Sequence, residues 1–197
     1  MQTLKYIFIL LATSFLMFNC GGNKEETKAP ETAEDIVQNI TEEAEKLANE
    51  EPKDVVDPKL LQELLPADAN GLPREKVSGE KTGAMGFQVA TAEGKYFEGD
   101  NSIEVNIADV AGTGGIMGMA AWSMLNINTE SETGYEKTTT YKDHKAFEKY
   151  DAQTKESEMA VLIASRFVVS IKGTNVDMSK IKATLDDIDL RKLADLK

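Results

Sequence analysis

The chain holds a single cysteine, Cys20, at the end of an apolar run and directly before Gly21 and Gly22. One thiol makes no intrachain disulfide and no thiolate zinc site, so its position matters more than its number. The next chemical candidate is Gly112-Thr113-Gly114-Gly115-Ile116-Met117-Gly118, between an expected strand and an expected helix, where backbone amides can cradle phosphate. Its third glycine is out of register for a dinucleotide turn and no βαβ units follow, so tight reversal and close helix packing account for it better. Met117, Met119 and Met124 carry soft thioethers suited to Cu(I), yet their helical spacing beside Ile116 and Trp122 reads as core filling. Asp143, His144 and Glu148 offer nitrogen and carboxylate donors, but a metal site of this kind needs a further ligand from elsewhere. Neither a nucleophile elbow nor an HExxH pair occurs, and Asp186, Asp187 and Asp189 read as helix caps rather than as a catalytic pair. Lys137 to Lys142, with three threonines and Tyr141, form a polar strand that can meet a peptide or glycan through hydroxyls, or simply face water.

Charge narrows the partners. Across 197 residues, 22 Lys and Arg stand against 34 Asp and Glu, a net charge of −12. Affinity for nucleic-acid phosphates comes largely from Lys and Arg, so nucleic acid is not an expected partner. The 41% of hydrophobic residues is enough for one buried core.

Met1 to Lys5 carries one lysine and the amino terminus, and Tyr6 to Phe18 is apolar except for Thr13 and Ser14. The run is too short for a spanning helix, which needs roughly 20 residues, and has the grammar of an export signal. With Cys20 closing it and two glycines behind, residues 1–19 resemble a bacterial lipoprotein signal peptide, in a relaxed form with Phe18 and Asn19 where small residues are usual. The resemblance implies that Cys20 receives diacylglycerol and further acyl chains such as palmitate, becomes the first residue, and anchors the chain to the membrane. The absence of Asp after Cys20 resembles lipoproteins sent to the outer membrane. Lys24-Glu25-Glu26 resembles the short acidic signals that carry some Bacteroidetes lipoproteins to the cell surface.

Residues 20–58 carry four lysines and twelve acids, and read as an acidic tether. Its first dozen residues lack apolar anchors and cannot offset their ordering entropy. Ile36, Ile40, Ala44 and Leu47 recur at helical spacing and predict a short amphipathic helix over about 33–49.

Residues 59–197 read as the globular body. Asp57-Pro58 predicts a helix start, with Leu60, Leu61, Leu64 and Leu65 as its apolar face. Phe87, Val89 and Thr91 alternate with Gln88 and Ala90, and Ile103, Val105 and Ile107 with Glu104, Asn106 and Ala108. The two predicted strands join through Glu98-Gly99-Asp100-Asn101 as a hairpin. The apolar stretch 113–127 predicts a buried central helix. Four further strands follow, over 134–142, 146–152, 158–164 and 167–172. The spaced apolar residues from Met178 to Leu196 predict one or two closing helices, with a break at Asp186-Asp187.

Strands cluster rather than alternate with helices, which predicts an α+β fold: a mostly antiparallel sheet of about six strands, in the order β-β-α-β-β-β-β-α, with helices on one face. The layout loosely resembles the sheet-and-helix domains of many secreted bacterial lipoproteins of unknown role. The resulting expectation is an exported protein, lipid-anchored at Cys20 to the outer membrane on its periplasmic face or at the cell surface. It is a non-enzymatic binding module without cofactor, for an envelope protein, peptide, glycan or small ligand. A small-ligand or metal-binding lipoprotein is the alternative, and a hydrolase a more distant one.

Overall fold

The computed structural model describes residues 54–84, 87–111 and 126–197. Cys20, the helix expected over 33–49, the glycine-rich turn and Met117, Met119 and Met124 lie outside them. So does the expected central helix, apart from Asn126 and Ile127, which are in neither helix nor strand.

Helix α1 (Pro58–Gln62) begins as its sequence predicts: the Asp57 carboxylate accepts from the Lys59 amide at 2.9 Å, and proline occupies the first turn. Leu61, Leu64 and Leu65 are buried, while Leu60 stays outside. Val55 and Val56 are buried too, so packing begins ahead of the helix.

Among the described residues eight strands follow: β1 (Arg74–Ala84), β2 (Phe87–Glu98), β3 (Asn101–Asp109), β4 (Asn128–Ser131), β5 (Gly134–Tyr141), β6 (His144–Asp151), β7 (Glu156–Ile163) and β8 (Phe167–Thr174). They form one sheet in the order β1-β2-β3-β8-β7-β6-β5-β4, and every neighbouring pair is antiparallel. The α+β class and the antiparallel sheet stand; the expected six strands become eight. The two additions, β1 and β4, are the edge strands, and both are polar. An edge strand exposed on both faces shows no apolar alternation, so period-two reading passes over it. The β2–β3 hairpin turns at Gly99, whose φ of +60° suits a residue without Cβ.

One face of the sheet is the core. Register aligns Tyr96, Ile103, Gly173 and Ser157 in one cross-strand row and Gly94, Val105, Ile171, Met159 and Glu148 in the next. Ala92, Ile107, Val169, Val161 and Ala146 form the third. In β2 the inward residues are thus Ala90, Ala92, Gly94 and Tyr96, the reverse of the face that Val89 and Thr91 suggested. Small residues lie inward there because α1 and the Tyr96 ring need the room: a Cβ on Gly94 would stand 2.7 Å from the Tyr96 hydroxyl oxygen.

Helices α2 (Met178–Asp186) and α3 (Leu190–Ala194) close the described chain, separated at Asp187–Asp189 as the sequence predicts. Ile181, Leu185, Leu190 and Leu193 join Leu61 and the inward strand residues in a single buried cluster. The three described helices therefore share one core, with α1 over β1 and β2 and α2 over β7 and β8. Among the described residues no helix is long and apolar enough to cross a membrane.

Candidate binding groove on the open sheet face

The face away from the helices carries a second pattern. Lys95, Glu104, Lys172, Glu158, Lys149 and Glu136 are consecutive cross-strand partners on β2, β3, β8, β7, β6 and β5. Their signs alternate without a break. Glu104, Lys172, Glu158 and Lys149 each sit between opposite charges on the neighbouring strands, which is the favourable cross-strand arrangement, whereas Lys95 also faces Lys76 of β1 and Glu136 faces Thr129 of β4. Lys95 Nζ lies 2.9 Å from Glu104 and 3.2 Å from Glu93, Lys172 Nζ 3.7 Å from Glu158, and Lys149 Nζ 3.8 Å from Glu136. Glu104 first, and then Glu93, hold the Lys95 ammonium pKa above its usual range.

One row further along the strands, Phe97, Ser102, Thr174, Glu156 and Asp151 are likewise consecutive partners on β2, β3, β8, β7 and β6. These two rows floor a groove of about 410 Å³ that crosses five strands. It has direction: Phe97, 37% exposed, stands at the β2 end, two hydroxyls occupy the middle, and two carboxylates stand at the β6–β7 end. Asp151 also accepts from the Gln153 and Thr154 amides, which fixes its carboxylate in the turn. Glu156 forms no ion pair among the described residues. Such a floor can hold an extended polar segment across the strands by charge and hydroxyl contacts.

The residues singled out in the sequence are distributed elsewhere. Glu148 points inward from β6 and is 3% exposed. It is satisfied by Lys182 at 2.7 Å, by the Tyr135 hydroxyl, which donates at 3.4 Å, and by Lys137 at 3.8 Å. Burial, and then the negative charge of Glu148, raise the Tyr135 pKa. Lys137 also lies over the Tyr135 ring, 4.8 Å from its centre. A carboxylate so fully engaged is a structural tie between β5, β6 and α2, not a free metal ligand. Lys137 and Tyr141 face the helix side while Thr138 and Thr140 face the other, so the polar run 137–142 is divided between two surfaces. The Thr138 hydroxyl accepts from the Ile127 amide at 3.0 Å.

Asp143 lies in the β5–β6 turn and His144 begins β6. The sequence placed Asp186, Asp187 and Asp189 at helix caps. Asp189 does cap α3, accepting from the Arg191 and Lys192 amides, and Asp187 accepts from the Asn70 side-chain amide. Asp186 instead receives the Tyr141 hydroxyl and lies 2.5 Å from Lys142 Nζ. Burial and this hydrogen bond push the Tyr141 pKa up to about 12, and Lys142 and Tyr141 lower that of Asp186. Among the described residues no group of three or more His, Cys, Asp and Glu is placed to hold a metal ion.

The charge row escaped sequence reading because its six members come from six strands, and only register brings them level. Alternation of charged with apolar residues inside β3 and β7 was its one visible trace. No protein-family model, no curated protein and no solved structure matches this chain.

Proposed function

We propose that this chain is an exported lipoprotein, anchored to the outer membrane through a lipidated Cys20, whose α+β body is a non-enzymatic binding module. The groove on the open sheet face is its binding surface. Its partner is an extended peptide segment of another envelope component, with a basic residue at the carboxylate end and an apolar one at Phe97. The observation that carries this reading is the polarity of the second row, from an exposed aromatic through Ser102 and Thr174 to Glu156 and Asp151. The neighbouring row of paired charges supports it, since its lysines and glutamates neutralise one another and leave the second row's asymmetry as the directional feature. The anchor reading rests on the position of Cys20 behind a short apolar run and ahead of an acidic tether.

A photo-crosslinking residue placed in the groove at Thr174 tests the binding reading in cells, with Ser165 in the exposed β7–β8 turn as the comparison site. The reading expects one adduct from position 174, none from 165, and loss of the adduct when Glu156→Lys is added. An adduct formed equally from both sites, or indifferent to Glu156→Lys, contradicts it. So does turnover of a substrate that survives purification and is lost on a point change in the body.

A further inference from the structure

Strand β1 is the long open edge of the sheet. Among the described residues it pairs only with β2, and residues 75–83 are exposed throughout. An open edge of this length presents a row of unpaired backbone amides and carbonyls, which proteins either guard or use. Three large hydrophobic side chains among the described residues remain exposed: Leu60 at 38%, Val77 at 48% and Phe97 at 37%. They lie on α1, β1 and β2, all at this end of the sheet.

The sequence of the edge is self-complementary. Turned about a two-fold axis through Ser78 and laid antiparallel against itself, it places Lys76 opposite Glu80, Glu75 opposite Lys81, and Val77 opposite Gly79. Each pair occurs twice. A two-fold pairing shifts only in steps of two residues, because a one-residue slip turns the side chains to the opposite face. Centring on Val77 keeps only Arg74 opposite Glu80 as an attractive pair and centring on Gly79 keeps none, so the register on Ser78 holds the most opposite-charge pairs. The same charges that guard the edge against unrelated strands thus favour one pairing. From Lys76 onward the backbone also suits this register, Glu75 lying at the irregularity between Arg74 and Lys76. Gly79 has no side chain to crowd Val77, and a Cβ there would stand 3.1 Å from the side chain of Pro58 and 2.5 Å from that of Gln62. Val77 of a second copy would therefore approach Pro58 and Gln62 of α1.

We propose that β1 is the interface of a two-fold homodimer, in which the edges of two copies join through antiparallel pairing centred on Ser78 into one continuous sheet. The interface lies at the end of the sheet, so both grooves stay open, and the proposal does not depend on what they bind. A closed two-fold contact also removes the long edge from further association.

Sedimentation equilibrium of the full chain in density-matched detergent tests it, with Lys76→Glu and Glu80→Lys as variants. Wild type is expected at twice the monomer mass. Each single variant turns two attractive pairs into two repulsive ones and weakens association about tenfold. An equimolar mixture of the two variants restores both pairs, and dimer formation with it, which shows that each is folded. A wild-type chain that stays monomeric, a dimer indifferent to Lys76→Glu, or a mixture that fails to regain association overturns the proposal.

Discussion

Asp109 and Arg166, 57 residues apart in sequence, meet in a two-pronged ion pair at one end of the sheet. Arg166 Nε donates to Oδ1 at 2.9 Å and Nη2 to Oδ2 at 2.7 Å. The same carboxylate accepts from the Val56 amide at 2.8 Å and the Ala111 amide at 3.0 Å, and Arg166 also donates to the Asp54 carbonyl. One pair therefore fastens the entering chain at 54–56 to the end of β3 and to the β7–β8 turn.

Removing either partner should be costly, and removing the cation more so. Asp109 is fully buried, and Arg166→Met leaves its charge with backbone donors alone. A loss of about 3–5 kcal/mol is expected, since an uncompensated buried charge carries that penalty. Urea unfolding of the full chain measures it. A loss below about 1 kcal/mol would mean that the pair is not the fastening described.

The charge row makes a prediction that an isolated ion pair does not. Lys172→Glu places a carboxylate between Glu104 and Glu158, and about 1 kcal/mol of destabilisation follows, diminishing with added salt. Adding Glu158→Lys restores that one pair, but it leaves the new carboxylate beside Glu104 and sets the new ammonium beside Lys149. Rescue in a double-mutant cycle should therefore be incomplete. Complete rescue would show that Lys172 and Glu158 act as an isolated pair.

Tyr141 and Asp186 set stability at opposite ends of the pH scale. The folded Tyr141 pKa is raised from 10.0 to about 12, so its contribution is whole below pH 10 and is lost as pH climbs toward 12. The Asp186 pKa is lowered from 3.8, so its contribution is present above that value and fades as pH falls through the lowered one. Tyr141→Phe should flatten the alkaline limb of a stability–pH curve and leave a smaller acid limb, because Lys142 still faces Asp186. An unchanged alkaline limb would assign it to another group.

Tyr96 is fully buried and donates its hydroxyl to the Pro66 carbonyl at 2.8 Å. Arg74 also reaches that carbonyl, at 3.2 Å, so Tyr96→Phe leaves the acceptor satisfied. A loss of about 1 kcal/mol is expected in thermal or urea unfolding, the net worth of one hydrogen bond. A loss above about 3 kcal/mol would mean that the ring itself had moved off Gly94.

What could be read from sequence was whatever lies in local periodicity. Asp57-Pro58 marked α1, the Glu98–Asn101 turn marked the β2–β3 hairpin, and the break at Asp186-Asp187 separated α2 from α3. The edges β1 and β4 were missed because a strand without a buried face has nothing to alternate. The inward face of β2 was reversed because Ala90, Ala92 and Gly94 make a weaker apolar signal than Val89 with its neighbours, although close packing under α1 demands small residues there. Asp109 and Glu148 did leave a signal. Each continues an inward register, after Ile103, Val105 and Ile107 in one case and after Ala146 in the other, and an acid at a core position calls for a buried cation. Which cation answers it, Arg166 or Lys182, depends on tertiary contact and could not be read locally.

The central claim, a binding module held to a membrane by its only cysteine, is tested most directly by metabolic labelling with a radioactive fatty acid in cells expressing wild type or Cys20→Ala, followed by fractionation. The account predicts label on the wild-type chain in the membrane fraction and none on the variant. Absence of label from the wild type, or equal label on both, would contradict it.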